Sequence, residues 1–296
     1  MRRRLTVFLW FLLIIAVVSC EDGLIGRVWA HSEEATVSVK TYSPIVVDGT
    51  LDDWVRRLEG SNWAGQLQIA QGKVIEWMRA VPTYINAITS KVESGTIKSP
   101  EDFSATIYTL WDAQHFYVAA IVNDDEIVTQ HEKGDIWQDD ALELWFDCRH
   151  DAITHTLFQD DEFQVGFSPA SHYRNHPVAW AWRNPRADAM IAQMQVASSL
   201  RPGGYIIEAS IPWVVLQGCA PMIGGKGEMI GFNLSAVDKD EDQMWTHVTW
   251  SGRLHSDPSQ FGHLYFVDAP IDLFPSDVFE VRSGDGSTNP TPNSGP

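Results

Sequence analysis

The segment Asp135–Asp147, with the sequence D-I-W-Q-D-D-A-L-E-L-W-F-D, alternates in polarity over its second half. Leucine or phenylalanine occupies each even position from 142 to 146, whereas Glu143 and Trp145 occupy the odd positions between them. This period of two residues is typical of a strand that buries one face against a core. The other face then carries a carboxylate and an indole, which together can bind a polyhydroxylated ligand by hydrogen bonding and stacking. An ordinary strand with a solvated or loop-covered outer face is the alternative.

Segments with the same alternation recur along most of the chain, separated by turns rich in Gly, Pro and Asp. They are Phe103–Trp111, His115–Val122, Glu162–Ser168, Ile191–Leu200, Tyr205–Ile211, Met229–Val237, Met244–Trp250 and Gly262–Val267. Many short strands joined by such turns indicate a mainly β domain, an antiparallel β-sandwich of the jelly-roll kind. We place this domain at residues 36–269, a length that one sandwich with an insertion can reach.

One segment departs from the β pattern. Between Asn62 and Glu93, apolar residues recur at intervals of three and four, which predicts an amphipathic helix that Pro82 kinks or divides. We therefore expect a helical insertion at about residues 58–100, packed over one face of the sheet. A lid or a docking surface for a partner is the alternative.

The two ends of the chain are not expected to belong to the domain. Residues 1–19 combine a basic start with the apolar run Leu5–Val18, which is short for a membrane span and typical of a secretory signal peptide. The run ends in V-V-S-C, a lipobox-like sequence that predicts lipidation of Cys20 and a membrane anchor; simple cleavage further on is the alternative. Residues 20–35 then form a polar tether and residues 270–296 a disordered tail.

The charge balance disfavours some partners. With 21 basic and 39 acidic residues, the chain has a formal net charge of −18, so binding to nucleic acid or to an anionic lipid surface is disfavoured. Acidic turns in an exported protein suit calcium, which prefers oxygen ligands, although solvated turn acids fit the sequence as well. The candidate calcium ligands are Asp48, Asp52, Asp139 and Asp161. Cys148 and Cys219 could form one disulfide or remain two buried thiols.

No pattern in the sequence predicts catalysis. Glycoside hydrolysis requires two carboxyl groups held at a set distance across the scissile bond, whereas neighbours such as Asp139 and Asp140 point to opposite faces of an extended chain. The ten histidines lack the Cys partners or flanking helix of a strong zinc site. We expect a protein that is not an enzyme.

Seven motifs follow one another along the chain. They are I-V-V-D-G-T-L-D-D-W, L-W-D-A-Q-H-F-Y-V-A-A-I-V-N-D-D, W-Q-D-D-A-L-E-L-W-F-D, D-D-E-F-Q-V-G-F-S, G-G-Y-I-I-E-A-S-I-P-W, G-F-N-L-S-A-V-D and D-P-S-Q-F-G-H-L. In this order they resemble the family 9 carbohydrate-binding modules over about residues 44–268. The resemblance implies a β-sandwich with bound calcium, and a non-catalytic function attached to or beside glycoside hydrolases.

The resemblance also implies a site. In sugar-binding members of that family two tryptophans enclose a terminal sugar and polar side chains bind its hydroxyl groups. The motif spacing places the first tryptophan at Trp137 and the carboxylate ligand at Glu143. The carbohydrate site predicted in this way comprises Trp137, Glu143, Gln164, Trp250 and His255.

At three positions this chain departs from the sugar site of the family. The second tryptophan falls on His255, an arginine falls on Gln164, and an asparagine falls on Gly166. Loss of one aromatic wall and one charged donor should weaken sugar binding. Trp250 or Trp145 is a candidate replacement for the missing wall.

We therefore expect an exported, lipid-anchored protein of the bacterial cell envelope that binds poly- or oligosaccharides without catalysis. Two alternatives stay open. One is an envelope protein that has kept the fold, lost the sugar, and serves a structural or partner-binding purpose. The other is a haem-binding electron-transfer domain, since a related class of sandwich domains binds haem through side-chain ligands.

Overall fold

The structure, a computed structural model, describes residues 32–59, 73–152, 157–182, 189, 191–221, 229–240, 245–251, 257–268 and 280–283. Of residues 56–59, 73–78 and 280–283 it describes only the backbone. Within these ranges the chain forms sixteen strands and two 3-10 helices, one at Lys133–Gln138 and one at Pro258–Gln260. The strands are β1 (Ala35–Lys40), β2 (Val55–Glu59), β3 (Lys73–Met78), β4 (Pro82–Ile85), β5 (Lys91–Ser94), β6 (Phe103–Trp111), β7 (His115–Asp124), β8 (Ala141–Asp147), β9 (Glu162–Ser168), β10 (Val178–Trp182), β11 (Gln195–Arg201), β12 (Gly204–Pro212), β13 (Met229–Asp238), β14 (Thr246–Thr249), β15 (Gly262–Val267) and β16 (Glu280–Ser283).

Thirteen of these strands form one sheet. Its order is β10-β9-β8-β13-β15-β1-β6-β7-β12-β11, with β14 beside β13, β5 beside β14 and β4 beside β6. β1 joins the two halves of the sheet and runs parallel to both β15 and β6, whereas β8 is antiparallel to both its neighbours. The mainly β prediction is confirmed, but the sheet is mixed and not purely antiparallel. Strands β16, β3 and β2 form a separate three-stranded sheet.

The two halves of the large sheet pack face to face, which gives a sandwich in outline. The ring of Phe146 on β8 meets the ring of Phe116 on β7 edge to face, with the centroids 5.5 Å apart. Leu142 and Leu144 lie in the same core and are fully buried. The alternation in the sequence therefore identified the core-facing side of β8 correctly.

The predicted helical insertion is wrong where the structure describes it, because β3, β4 and β5 occupy that segment. Residues 60–72 lie outside the described part of the chain. Pro82, which was expected to kink a helix, is the first residue of β4, a position that proline tolerates. Thr83 and Ile85 are buried while Tyr84 is exposed, so the segment alternates as a strand does. Its β-branched and aromatic residues favour extended backbone and outweigh the helical spacing.

Cys148 and Cys219 form a disulfide, with their Cα atoms 4.3 Å apart. The bond joins the end of β8 to the segment that follows β12. Of the two possibilities that the sequence left open, the structure therefore shows the disulfide.

The ends of the chain are described only in part. Residues 1–31, and with them Cys20, lie outside the described residues. Within residues 270–296, β16 pairs with β3, so the segment predicted as a tail contains one strand. In the part of the chain that the structure covers, no helix is both long and apolar enough to cross a membrane.

Candidate functional site

A row of side chains crosses five strands on the outer face of the sheet. Glu143 on β8 pairs with Gly166 on β9 and with Ser235 on β13. Gly166 pairs in turn with Trp180 on β10. On the other side, Ser235 pairs with Thr249 on β14. Directly paired residues point to the same face of a sheet, so Glu143 lies at the centre of this row.

Glu143 is buried at the centre of the row, with 2% of its surface exposed. The Ser235 hydroxyl donates to Glu143 Oε2 at 3.0 Å, and Gln164 also hydrogen-bonds to this side chain. His247 Nε2 lies 3.8 Å from the same Oε2. Because burial disfavours the charged form more than these donors favour it, the pKa of Glu143 is raised to about 7. At neutral pH this carboxyl group can therefore either donate or accept a hydrogen bond.

Trp137 is the exposed aromatic residue of the site. It lies on the 3-10 helix Lys133–Gln138, and 38% of its surface is exposed. Its ring meets that of Trp245 at an interplanar angle of 87°, with the centroids 5.1 Å apart. Trp245 directly precedes β14, and the helix contacts β9 and β10. The helix therefore presents an indole above the strands that carry the row.

A buried ion pair fixes the loop that carries Trp137. Arg174 donates to Asp139 Oδ2 at 3.3 Å and to Ser168 Oγ at 2.6 Å. His131 Nδ1 lies 2.8 Å from Asp139 Oδ1. Asp139 directly follows the 3-10 helix, so this network holds the helix to the end of β9.

Gly166 leaves room for another indole. A Cβ atom at residue 166 would lie 2.5 Å from Cζ3 and 2.6 Å from Cη2 of Trp182, so the benzene ring of Trp182 lies directly over the glycine. Trp182 Nε1 donates to the Gly134 carbonyl at 3.0 Å. A half-buried tryptophan on β10 is thereby tied to the helix that carries Trp137.

The structure brings three of the predicted sugar ligands to this face, namely Trp137, Glu143 and Gln164. His255 lies outside the described residues. Trp250 lies in the hydrophobic core and not at the site, a correction to the prediction. Its ring packs 6.3 Å from that of Phe232, and only 8% of its surface is exposed.

Trp145, the other candidate wall, is on the outer face but fully buried. Its ring packs against Phe158 and Phe261, with centroid distances of 5.9 and 6.4 Å. Its Nε1 donates to Ser235 Oγ at 2.9 Å, and Ser235 donates to Glu143. Trp145 therefore orients the serine and offers no open ring face to a ligand.

Several residues of this face were not identified from the sequence. They are Trp180, Trp182, Ser235, Trp245 and His247. The sequence V-A-W-A-W carried a usable signal, since its two indoles are two residues apart and must share a face of any strand. Ser235 and His247 reach Glu143 only through strand pairing between distant segments, which no local pattern shows.

Among the residues that the structure describes, aspartates converge in three groups of three. The groups are Asp102, Asp125 and Asp240; Asp124, Asp140 and Asp238; and Asp147, Asp151 and Asp161. In each, carboxylate oxygens of the three residues lie within 4.8 Å of one another. Like charges at this distance repel, so each group fits a cation or a shared proton.

The second group, which we call the buried triad (Asp124, Asp140 and Asp238), fits a cation best. Its members are at most 4% exposed. Burial, together with repulsion from neighbouring aspartates, raises the pKa of Asp124 to about 7 and that of Asp238 to about 8. Asp124 Oδ2 and Asp238 Oδ1 are buried oxygens without a hydrogen-bond donor. Oxygens arranged in this way match the ligands that Ca²⁺ prefers.

The other two groups have cationic side chains as neighbours. Lys98 Nζ lies 2.8 Å from Asp240 and 3.4 Å from Asp102. Arg149 forms ion pairs with Asp151, at 3.3 Å, and with Asp161. These contacts offset part of the repulsion, so the need for a metal ion is smaller there.

Of the four candidate calcium ligands from the sequence, Asp161 alone lies in one of these groups. Asp139 pairs with Arg174, as described above. Asp48 Oδ1 caps its own turn by accepting from Thr50 N at 2.8 Å, and Asp52 is not a member of any group found among the described residues. Of the acids that converge, the sequence therefore identified one, Asp161, and none of the buried triad.

Comparison with known proteins gives one family and several relatives. Residues 76–269 match the family described as carbohydrate family 9 binding domain-like. Over 183 residues the chain is 26% identical to endo-1,4-β-xylanase A of Thermotoga neapolitana, covering 60% of this chain and 15% of that protein. It is 24% identical over 251 residues to exoglucanase XynX of Acetivibrio thermocellus, covering 83% of this chain and 18% of that protein. The chain thus spans less than a fifth of the length of these relatives.

Solved structures establish the same fold. A family 9 carbohydrate-binding module from Caldicellulosiruptor kristjanssonii in complex with cellotriose aligns with a TM-score of 0.55 and 16% identity. The alignment covers 82% of this chain and all of that one. A family 9 module from the same organism in complex with glucose aligns with a TM-score of 0.53 and 17% identity, covering 81% of this chain and all of that one.

Proposed function

The chain belongs to the carbohydrate family 9 binding domain-like family, and we propose that it binds neutral poly- or oligosaccharides without catalysing a reaction on them. The site is the outer face around Glu143 and Trp137. The observation that carries the proposal is the exposed indole of Trp137, held by a buried network above a row whose centre is a buried carboxyl group.

This arrangement suits the chemistry of a pyranose ring. An indole packs on the apolar C–H face of a sugar, while carboxyl, amide and hydroxyl groups bond its hydroxyl groups. Glu143 and Gln164 supply the polar groups from two neighbouring strands, and Ser235 on a third strand orients Glu143 by a hydrogen bond. Strands hold such groups more rigidly than loops do, which lowers the entropy lost on binding.

Calcium is the cofactor that we propose, with the buried triad as its ligands. Asp124 ends β7, Asp140 directly precedes β8, and Asp238 ends β13. An ion bound by all three would neutralise their repulsion and tie the ends of three strands together. Its contribution would be to stability, because none of the three acids is a member of the row around Glu143.

We further propose that the protein is exported and anchored at the cell envelope through lipidated Cys20, and assists enzymes that break down polysaccharides. The relatives named as xylanase and exoglucanase support the link to polysaccharide breakdown. Fractionation tests the anchor. The wild type should partition with membranes and Cys20→Ser should not; membrane-bound Cys20→Ser would contradict a lipid anchor.

A glycan array followed by titration calorimetry tests the binding. The wild type should bind at least one neutral polysaccharide, and Trp137→Ala should weaken that binding about tenfold or more. Tyr84→Ala is a matched control, because Tyr84 is 53% exposed but lies on β4, away from the row. A wild type that binds no glycan would sink the proposal and favour the structural or partner-binding alternative.

A further inference from the structure

The aromatic ring of Trp182 occupies the space that a side chain at residue 166 on β9 would fill. Residue 166 pairs directly with Glu143, so a side chain there would project beside that carboxyl group. Any Cβ at residue 166 would overlap the Trp182 ring, at 2.5 Å from its nearest atom. Because residue 166 has no side chain, the Trp182 ring can occupy this position.

The orientation of Trp182 is fixed from two sides. Its benzene ring rests on Gly166, and its Nε1 donates to the Gly134 carbonyl at 3.0 Å. Gly134 belongs to the same 3-10 helix as Trp137. A ring that is already held in place loses little conformational entropy when a ligand packs on it.

We infer that Trp182 is a sugar-stacking residue of this site, which acts together with Trp137 and occupies the place of a side chain at residue 166. The inference rests on the proposed carbohydrate binding and extends it to a residue on β10. Trp182 is half-buried, so one part of the indole packs on protein while another part remains open to solvent.

The same arrangement favours neutral sugars over acidic ones. The groups around Glu143 are the hydroxyl of Ser235, the amide of Gln164 and the imidazole of His247. A uronic acid would bring a second carboxylate to the buried Glu143, in a protein whose formal net charge is already −18. A neutral pyranoside has an apolar face for the indole and adds no charge.

Trp182 could instead serve only to brace the helix through its N–H group. Trp182→Phe separates the two possibilities, since phenylalanine keeps an aromatic face and lacks the donor to Gly134. If stacking matters, Trp182→Ala should weaken binding about tenfold and Trp182→Phe by less than about threefold. Equal losses in the two variants would assign Trp182 to bracing and overturn the inference.

The titrations use cellohexaose, xylohexaose and mannohexaose, with oligogalacturonate as the anionic probe. Absence of binding by the wild type to all neutral probes would refute the proposed function itself. Binding that depends on Trp137 but is unchanged in Trp182→Ala would refute the inference and leave the function intact. Tighter binding of oligogalacturonate than of every neutral probe would overturn the preference for neutral sugars.

A spectroscopic measurement covers the case in which Trp182→Ala does not fold. The wild type is labelled with 5-fluorotryptophan, and the Trp182 resonance is assigned as the one missing from Trp182→Phe. Saturating oligosaccharide should shift this resonance together with that of Trp137, because a stacked sugar changes the surroundings of both rings. A Trp182 resonance that stays in place while that of Trp137 moves would overturn the inference.

Discussion

Ser235 on β13 donates a hydrogen bond to Glu143 on β8, with Oγ and Oε2 3.0 Å apart, and both side chains are buried on the outer face of the sheet. Ser235 in turn accepts from Trp145 Nε1 at 2.9 Å. The indole therefore fixes the hydroxyl hydrogen toward the carboxyl group. A change of pH can therefore change the protonation state of this buried carboxyl group while the backbone and the hydrogen-bond donors stay in place.

The stability of the domain should fall as Glu143 ionises. Its pKa is about 7 in the folded protein, against an ordinary value of 4.5. Because the folded state holds the proton more tightly, the associated stability is fully present below about pH 4.5 and is lost as the pH rises through about 7. Glu143→Gln cannot ionise, so its melting temperature relative to that of the wild type should rise from about pH 5 to about pH 8. A difference that does not change with pH would show that Glu143 titrates normally.

Glycan affinity should rise as the pH rises through the pKa of Glu143, whereas stability falls. An ionised carboxylate accepts stronger hydrogen bonds than a neutral acid, so binding by the wild type should tighten as the pH rises through about 7. Calorimetry at several pH values should show this trend in His247→Asn as well, and a flat profile in Glu143→Gln. If the trend disappeared in His247→Asn and persisted in Glu143→Gln, the imidazole would be the titrating group.

Arg174→Met should destabilise the protein and weaken glycan binding together. Arg174 and Asp139 are both buried, and removal of one partner of a buried ion pair costs about 3–5 kcal/mol. His131 remains in contact with Asp139 in this variant, so the loss of stability should lie near the lower limit of this range. Urea unfolding measures the loss. The double variant Arg174→Met/Asp139→Asn should lose less than the two single variants combined, because it leaves no unpaired charge; strict additivity would show that the pair is not coupled.

The row around Glu143 shows what the sequence could and could not predict. Alternation placed Glu143 on the outer face because a strand has one local period, and the structure agrees. The position of Trp182 depends on contact with Gly166 across a strand pair, which local patterns do not contain. Trp250 was misplaced for a related reason. A tryptophan that follows a strand can turn to either face of the sheet, and packing against Phe232 places Trp250 on the core face.

Removal of calcium should lower the melting temperature of the wild type. Without an ion, the buried triad confines three carboxyl groups whose mutual repulsion opposes folding. Above about pH 8, where Asp238 is ionised, Asp238→Asn should stabilise the chelated protein by removing one of these charges, and it should abolish the shift that added calcium produces. Asp160→Asn is the matched control, since Asp160 pairs with Arg149 at the surface and should retain the shift. Equal melting temperatures of the wild type with EDTA and with calcium would contradict a structural ion.

Loss of the disulfide should destabilise the domain without affecting the proposed sugar site. Cys148 and Cys219 are 71 residues apart in the sequence, and in the chain-entropy description a loop of this length contributes about 4 kcal/mol by restricting the unfolded state. The variant Cys148→Ala/Cys219→Ala should therefore unfold at lower urea concentration, with a steeper dependence on urea because its unfolded chain is more expanded. Cys148 directly follows β8 while Trp137 precedes it, so the disulfide and Trp137 lie beyond opposite ends of this strand. Glycan affinity should consequently stay within about twofold of the wild type at low urea. A parallel loss of affinity would mean that the disulfide positions the row around Glu143 as well as limiting the unfolded state.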